Sequence, residues 1–130
     1  MKPVYENVFY RVKNLFIWTS DKESHPTYFD HWASHADAVE RGDVFRDDCD
    51  GFAMTCADLL AREGIDKSLI RLAMCRTETG EGHLVCIVDG YLLDNRQRTI
   101  WNWNEVPYTW ESSMRMDEPG VWRSMRMEGK

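Results

Sequence analysis

Apolar residues fall at helical spacing through the first half of the chain and in strand-like runs through the second. Val4, Val8 and Val12 recur every fourth residue with Phe9 and Leu15–Phe16 beside them, so residues 1–18 predict a helix. Residues 19–27 are polar with a proline and read as a loop. Residues 28–41 return to helical spacing with Phe29, Trp32, Ala36 and Val39 on one side, and Gly42 stands at the stop position. Residues 43–48 read as an acidic loop. From Cys49 the spacing of Phe52, Cys56, Leu59 and Leu60 predicts a helix with one buried face. Asp47 or Asp48 offers its N-cap and Gly64 its stop, so Cys49 sits in the first turn.

Beyond Leu69 the period changes. Residues 69–77 and 83–88 read as strands joined by the turn at 77–82, and residues 91–97 as a third. Asp89-Gly90 is a two-residue hairpin signal. That turn pairs Val88 with Tyr91, sets Asp94 against Val85 and His83 against Arg96, and puts His83 and Asp94 on one face. As diagonal neighbours they stand about 5.5–8 Å apart at Cα or Cβ. Residues 99–110 are aromatic with one proline and hold at most a short strand; beyond Ser112 the periodicity fades, with Trp122 expected to dock the end. Helices followed by antiparallel strands predict an α+β fold in a single domain over residues 1–130.

Composition narrows the function. The chain has 16 Lys+Arg against 22 Asp+Glu, a net charge of −6, which argues against general nucleic-acid binding. Arg96, Arg98 and nearby tryptophans could form only a local patch. Hydrophobic residues make up 43%, enough for a core, yet no run is long and apolar enough to span a membrane. The first residues lack a signal-peptide core, and four cysteines without a CxxC pair suggest reduced thiols; the expectation is a cytoplasmic protein.

Cys49, His83 and Asp94 are the candidate chemistry. A helix N-terminus favours a thiolate, whereas Asp47, Asp48 and Asp50 beside Cys49 oppose it, so a cationic neighbour such as a histidine is needed. Singly, each residue has a structural reading; in the order Cys, His, Asp on matching elements they describe a nucleophile, a base and an orienting carboxylate. The Cys49 backbone N–H is one candidate oxyanion donor, and no second is identifiable.

These segments resemble the bacterial transglutaminase-like cysteine peptidases, which include periplasmic proteases that release biofilm adhesins. The resemblance rests on Asp48-Cys49-Asp50, Gly82-His83 with its apolar run, Leu93-Asp94-Asn95, the Trp and Pro-Tyr pattern from Trp101 to Tyr108, Trp122, and Trp32 followed by Gly42. It implies a papain-like or transglutaminase-like core with N-terminal helices packed on an antiparallel sheet. It further implies Cys49 as nucleophile, His83 as base and Asp94 as orienting carboxylate, and a bacterial or phage origin. The family is similar to an Asp-Cys-Glu-Asp pattern whose carboxylates hold calcium. Here Asp48-Cys49-Asp50-Gly51 shortens one carboxylate and loses the last, so no cofactor is required and calcium at Asp48 and Asp50, with Asp47 compensating, is a minority expectation.

The leading reading is a cysteine hydrolase, a peptidase or amidase acting through an acyl-enzyme on a protein or peptide. Transglutaminase-type acyl transfer and a non-catalytic binding module of the same fold are the alternatives. His31 and His35 are spaced for a metal, but such pairs on solvated helix faces usually arise by chance. Cys56, Cys75 and Cys86 read as buried fillers. Of the six tryptophans, Trp32, Trp101, Trp103 and Trp122 are expected around the site, and Trp18 and Trp110 on an exposed surface.

Overall fold

A computed structural model describes residues 1–19 and 33–125. Helix α1 (Pro3–Leu15) opens with proline at its first position, where no N–H is missed, and buries Tyr5, Val8, Phe9 and Val12. It ends three residues before the predicted boundary, because residues 16–18 leave as strand β1 (Phe16–Trp18). The expected acidic loop holds its partner, β2 (Phe45–Asp47), in a short parallel pair. Phe16 supplies the reason: its ring packs on Phe45 at 5.6 Å and edge-on to Phe52 at 5.1 Å, which extended backbone permits. Helix α2 (Ala36–Arg41) is the described part of the helix predicted over 28–41 and stops at Gly42 with φ 80°. Phe29, His31 and Trp32 lie outside the described residues.

Helix α3 (Cys49–Arg62) begins where expected. The Asp48 side chain accepts the Asp50 N–H at 3.0 Å, and Phe52, Cys56, Leu59 and Leu60 are all buried. Six antiparallel strands follow: β3 (Ile70–Arg76), β4 (Gly82–Val88), β5 (Tyr91–Leu93), β6 (Trp101–Asn102), β7 (Thr109–Arg115) and β8 (Trp122–Ser124). Their spatial order is β6-β5-β4-β3-β7-β8. Asp89 and Gly90, at φ 52° and 83°, make the tight turn, and Val88 pairs with Tyr91 as the hairpin arithmetic requires. Strand β7 corrects the reading of a fading C-terminal pattern: six of its seven residues pair along β3, although their side chains are mostly polar or half-buried.

The sheet buries both faces. Ile70, Leu72, Leu84, Cys86, Val88 and Leu93 meet α1 and α3 in the main core. Ala73, Val85, Ile87 and Leu92 face the other way, under Trp103, Val106, Trp110 and Met125. Among the described residues no helix is long and apolar enough to cross a membrane.

One close approach fixes the first turn of α3. Asp47 lies so tightly against Gly51 that a Cβ there would stand 2.1 Å from its carboxylate oxygen. Asp47 is held by accepting the Asp48 N–H and a hydrogen bond from His35, each at 2.8 Å. Gly51→Ala is therefore expected to destabilise the chain by about 1–3 kcal/mol through overpacking. Urea unfolding checks this; unchanged stability would show that Asp47 yields freely.

Candidate active site

Strand β4 starts with Gly82-His83, and the segment after β5 carries Asp94, so the hairpin register sets both on the face away from the helices. Asp94 is fully buried and His83 nearly so, with His83 Nε2 2.7 Å from Asp94 Oδ1. Asp94 collects two further donors, the Arg96 backbone N–H to Oδ1 at 3.0 Å and the Tyr108 hydroxyl to Oδ2 at 2.5 Å. Burial opposes its ionisation, but the hydrogen bonds from His83, Tyr108 and the Arg96 amide outweigh that and hold its carboxyl below the ordinary range. An ionised carboxylate only accepts, so Nε2 carries the proton of this bond and a neutral ring offers Nδ1 as its free acceptor.

Tyr108 was not among the residues singled out by chemistry from the sequence. It sits after Pro107 in an irregular segment where no periodicity marks it. Its ring stands edge-on to His83 at 5.8 Å, and its hydroxyl accepts from Arg96 at 3.0 Å and Gln97 at 3.1 Å. Burial first, then the Asp94 carboxylate, push its pKa up to about 12, so it stays a donor. Arg96 is itself anchored by Glu78 at 2.6 Å.

Cys49 arrives from the other side of the sheet. As first residue of α3 it is half-buried, and its sulfur lies near enough to the Leu84 backbone, one residue after His83, for that amide to favour the thiolate. Burial, then the Asp50 carboxylate 3.6 Å from the sulfur, push the thiol up; the Leu84 amide draws it down, and Asp48 adds to the rise. Burial and the neighbouring carboxylates thus favour the protonated thiol at rest, in line with the opposition to ionisation expected of the aspartates around Cys49.

The carboxylates expected to hold calcium are largely engaged. Asp48, Cys49 and Asp50 bring one donor atom each within 4.8 Å of one another. Calcium takes about six to eight oxygens, and a thiol is a poor ligand for it. Asp48 caps α3, residue 51 has no side chain, and both Asp47 oxygens are committed. Among the described residues the donors do not complete a calcium shell. His35, the described member of the spaced pair, serves Asp47 and stacks on Phe45 at 4.7 Å instead of facing a metal.

The other cysteines are buried and free, as fillers should be. The tryptophans distribute differently from expectation. Trp18 is exposed as expected, but Trp101 and Trp122 are exposed too, and Trp110 packs against Tyr108 at 5.9 Å beside the site. Trp32 lies outside the described residues.

The profile of the family described as bacterial transglutaminase-like cysteine proteinase BTLCP matches residues 6–130. The chain belongs to that family. Among solved structures, calcium-bound Legionella pneumophila LapG is 18% identical with a TM-score of 0.72, over 99% of this chain and 73% of LapG. The EGTA-treated form of the same protein is 18% identical with a TM-score of 0.73, over 99% and 71%. At that identity the likeness shows a shared transglutaminase-like fold. No curated protein matches the chain. The proteinase is thus a cysteine peptidase by family, on a mixed helix and antiparallel-sheet fold.

The carboxyl of Asp94 is depressed on folding, so its contribution is fully present above the unfolded value near pH 3.9 and is lost as the pH falls through the lower folded value. Asp94→Asn is expected to cost about 2–4 kcal/mol at neutral pH, with the gap to wild type narrowing below about pH 4. Urea melts across that range check it; a constant gap would contradict an ionised Asp94.

Proposed function

We propose that the proteinase cleaves an amide bond of a protein substrate with Cys49 as nucleophile, His83 as base and Asp94 as orienting carboxylate. The observation that carries this reading is the buried His83–Asp94 bond, with the Cys49 thiol close enough to feel the Leu84 backbone one residue from His83.

His83 Nδ1 takes the thiol proton as the sulfur attacks the carbonyl carbon. Waiting for substrate suits this site, because Asp50 and Asp48 disfavour a standing thiolate. The carbonyl oxygen gains the electron pair and is met by the Cys49 backbone N–H, which at the first helical position has no intrahelical acceptor. Collapse reforms the carbonyl, the C–N bond breaks, and His83 returns its proton to the leaving amine. Water, deprotonated by His83, then attacks the thioester; the acid leaves and the sulfur regains its proton. Asp94 and Tyr108 keep the imidazole turned for both transfers without accepting a proton themselves. In this reading no metal is required, since the first turn of α3 is already held by Asp47, Asp48 and His35.

Alkylation by a chloroacetamide probe tests the assignment without a known substrate. Cys49→Ala is expected to remain folded and lose labelling, the other cysteines being buried. His83→Ala should slow it at least about 100-fold, and EGTA or added calcium should leave the wild-type rate unchanged. Equal labelling of wild type and Cys49→Ala would overturn the nucleophile, and labelling that requires calcium would overturn the metal-free site.

A further inference from the structure

The sheet face that carries His83 also holds a cleft of about 400 Å³, within the range of small-ligand sites. Arg71, Ile87, Gly90, Trp103, Ser113 and Met125 line it, with Arg123 at its rim. Strand register sets Arg71 and Ile87 two rows from His83, and in the row between them Val85 and Ala73 are buried under Trp103, Trp110 and Met125.

Arg71 is the chemical feature of the cleft. The buried Ser113 hydroxyl accepts from its guanidinium at 3.2 Å and fixes its position. Arg123, at the rim, is already paired with Glu118, whereas among the described residues no carboxylate pairs with Arg71. In a chain of net charge −6, an uncompensated guanidinium in a walled cleft is a site for an anion, and its planar fork suits a carboxylate.

The cleft is also joined to the candidate active site. Trp103 meets Trp110 at 5.6 Å, Trp110 meets Tyr108 at 5.9 Å, and Tyr108 meets His83 at 5.8 Å. Arg71 pairs with Ile87, four residues along β4 from His83, which is about 13 Å of strand. An extended substrate lying along this aromatic row covers the same distance in about four residues. We propose that the Arg71 cleft is a substrate subsite for an acidic side chain about four residues from the cleaved bond. The proposal rests on the proteolytic reading of Cys49, His83 and Asp94.

The test is a binding experiment on the full chain carrying Cys49→Ala, so that turnover plays no part. An acetylated Gly-Asp-repeat decapeptide, its Gly-Asn counterpart and inorganic phosphate are titrated while the Trp103 indole N–H is followed by NMR. The Asp peptide should shift that resonance saturably and bind at least about tenfold more tightly than the Asn peptide. Arg71→Met should lose at least about tenfold and Arg71→Lys less. Equal affinity for the two peptides, absence of Asp-peptide binding, or unchanged affinity in Arg71→Met would overturn the subsite. Phosphate binding as tightly as the Asp peptide would also overturn it, by showing a simple anion site. Should Arg71→Met fail to fold, the Asp-to-Asn comparison on the unmodified cleft decides. Failure of the catalytic assignment leaves this binding untouched, so the two are told apart.

Discussion

The buried carboxylate of Asp94 is the constraint around which the end of the sheet is arranged. An ion removed from water costs several kcal/mol unless its lone pairs are met. Asp94 is met from three directions: His83 at the start of β4, the Arg96 amide in the turn after β5, and Tyr108 from the segment leading into β7. The hairpin register brings His83 and Asp94 together, and the Arg96 amide and Tyr108 hydroxyl complete the set of donors. Tyr108 is in turn held by Arg96 and Gln97, and Arg96 by Glu78, so His83 is oriented by a network that reaches the surface.

Cys49 is placed by a separate device. The first turn of α3 is pinned by the Asp48 cap, by Asp47 pressed against Gly51, and by His35 on Asp47. These carboxylates keep the turn in place but raise the cost of a thiolate beside them. In the proposed mechanism, holding the nucleophile and activating it thus fall to different groups: the acidic turn positions Cys49, and His83, polarised by Asp94, removes its proton when substrate is present. Gly51 belongs to the same arrangement, since a side chain there would collide with Asp47.

Much of this was legible in the chain before folding. Cys49 falls at a helix start because Asp48 precedes a clear 3.6-residue pattern, and the Asp89-Gly90 turn brings His83 and Asp94 to one face by parity alone. What escaped was nonlocal or weakly patterned. Strand β7 carries Glu111, Ser112 and Ser113 where an apolar alternation would announce a strand, and is held by pairing with β3. The β1–β2 pair is three residues long and hides in a helix tail and an acidic loop. Tyr108 has its role through a contact with Asp94 that no spacing rule encodes. Trp110, set aside as a surface residue, belongs beside Tyr108, while Trp101 and Trp122 face solvent.

The central claim is that Asp94 directs the His83 ring so that Nδ1 is left for the Cys49 thiol. Nitrogen-15 NMR of neutral His83 tests it most directly. The account predicts the proton on Nε2, with Nδ1 unprotonated, and predicts that Asp94→Ala mixes the tautomers. A proton resident on Nδ1 in the wild-type protein, or a tautomer indifferent to Asp94, would contradict it.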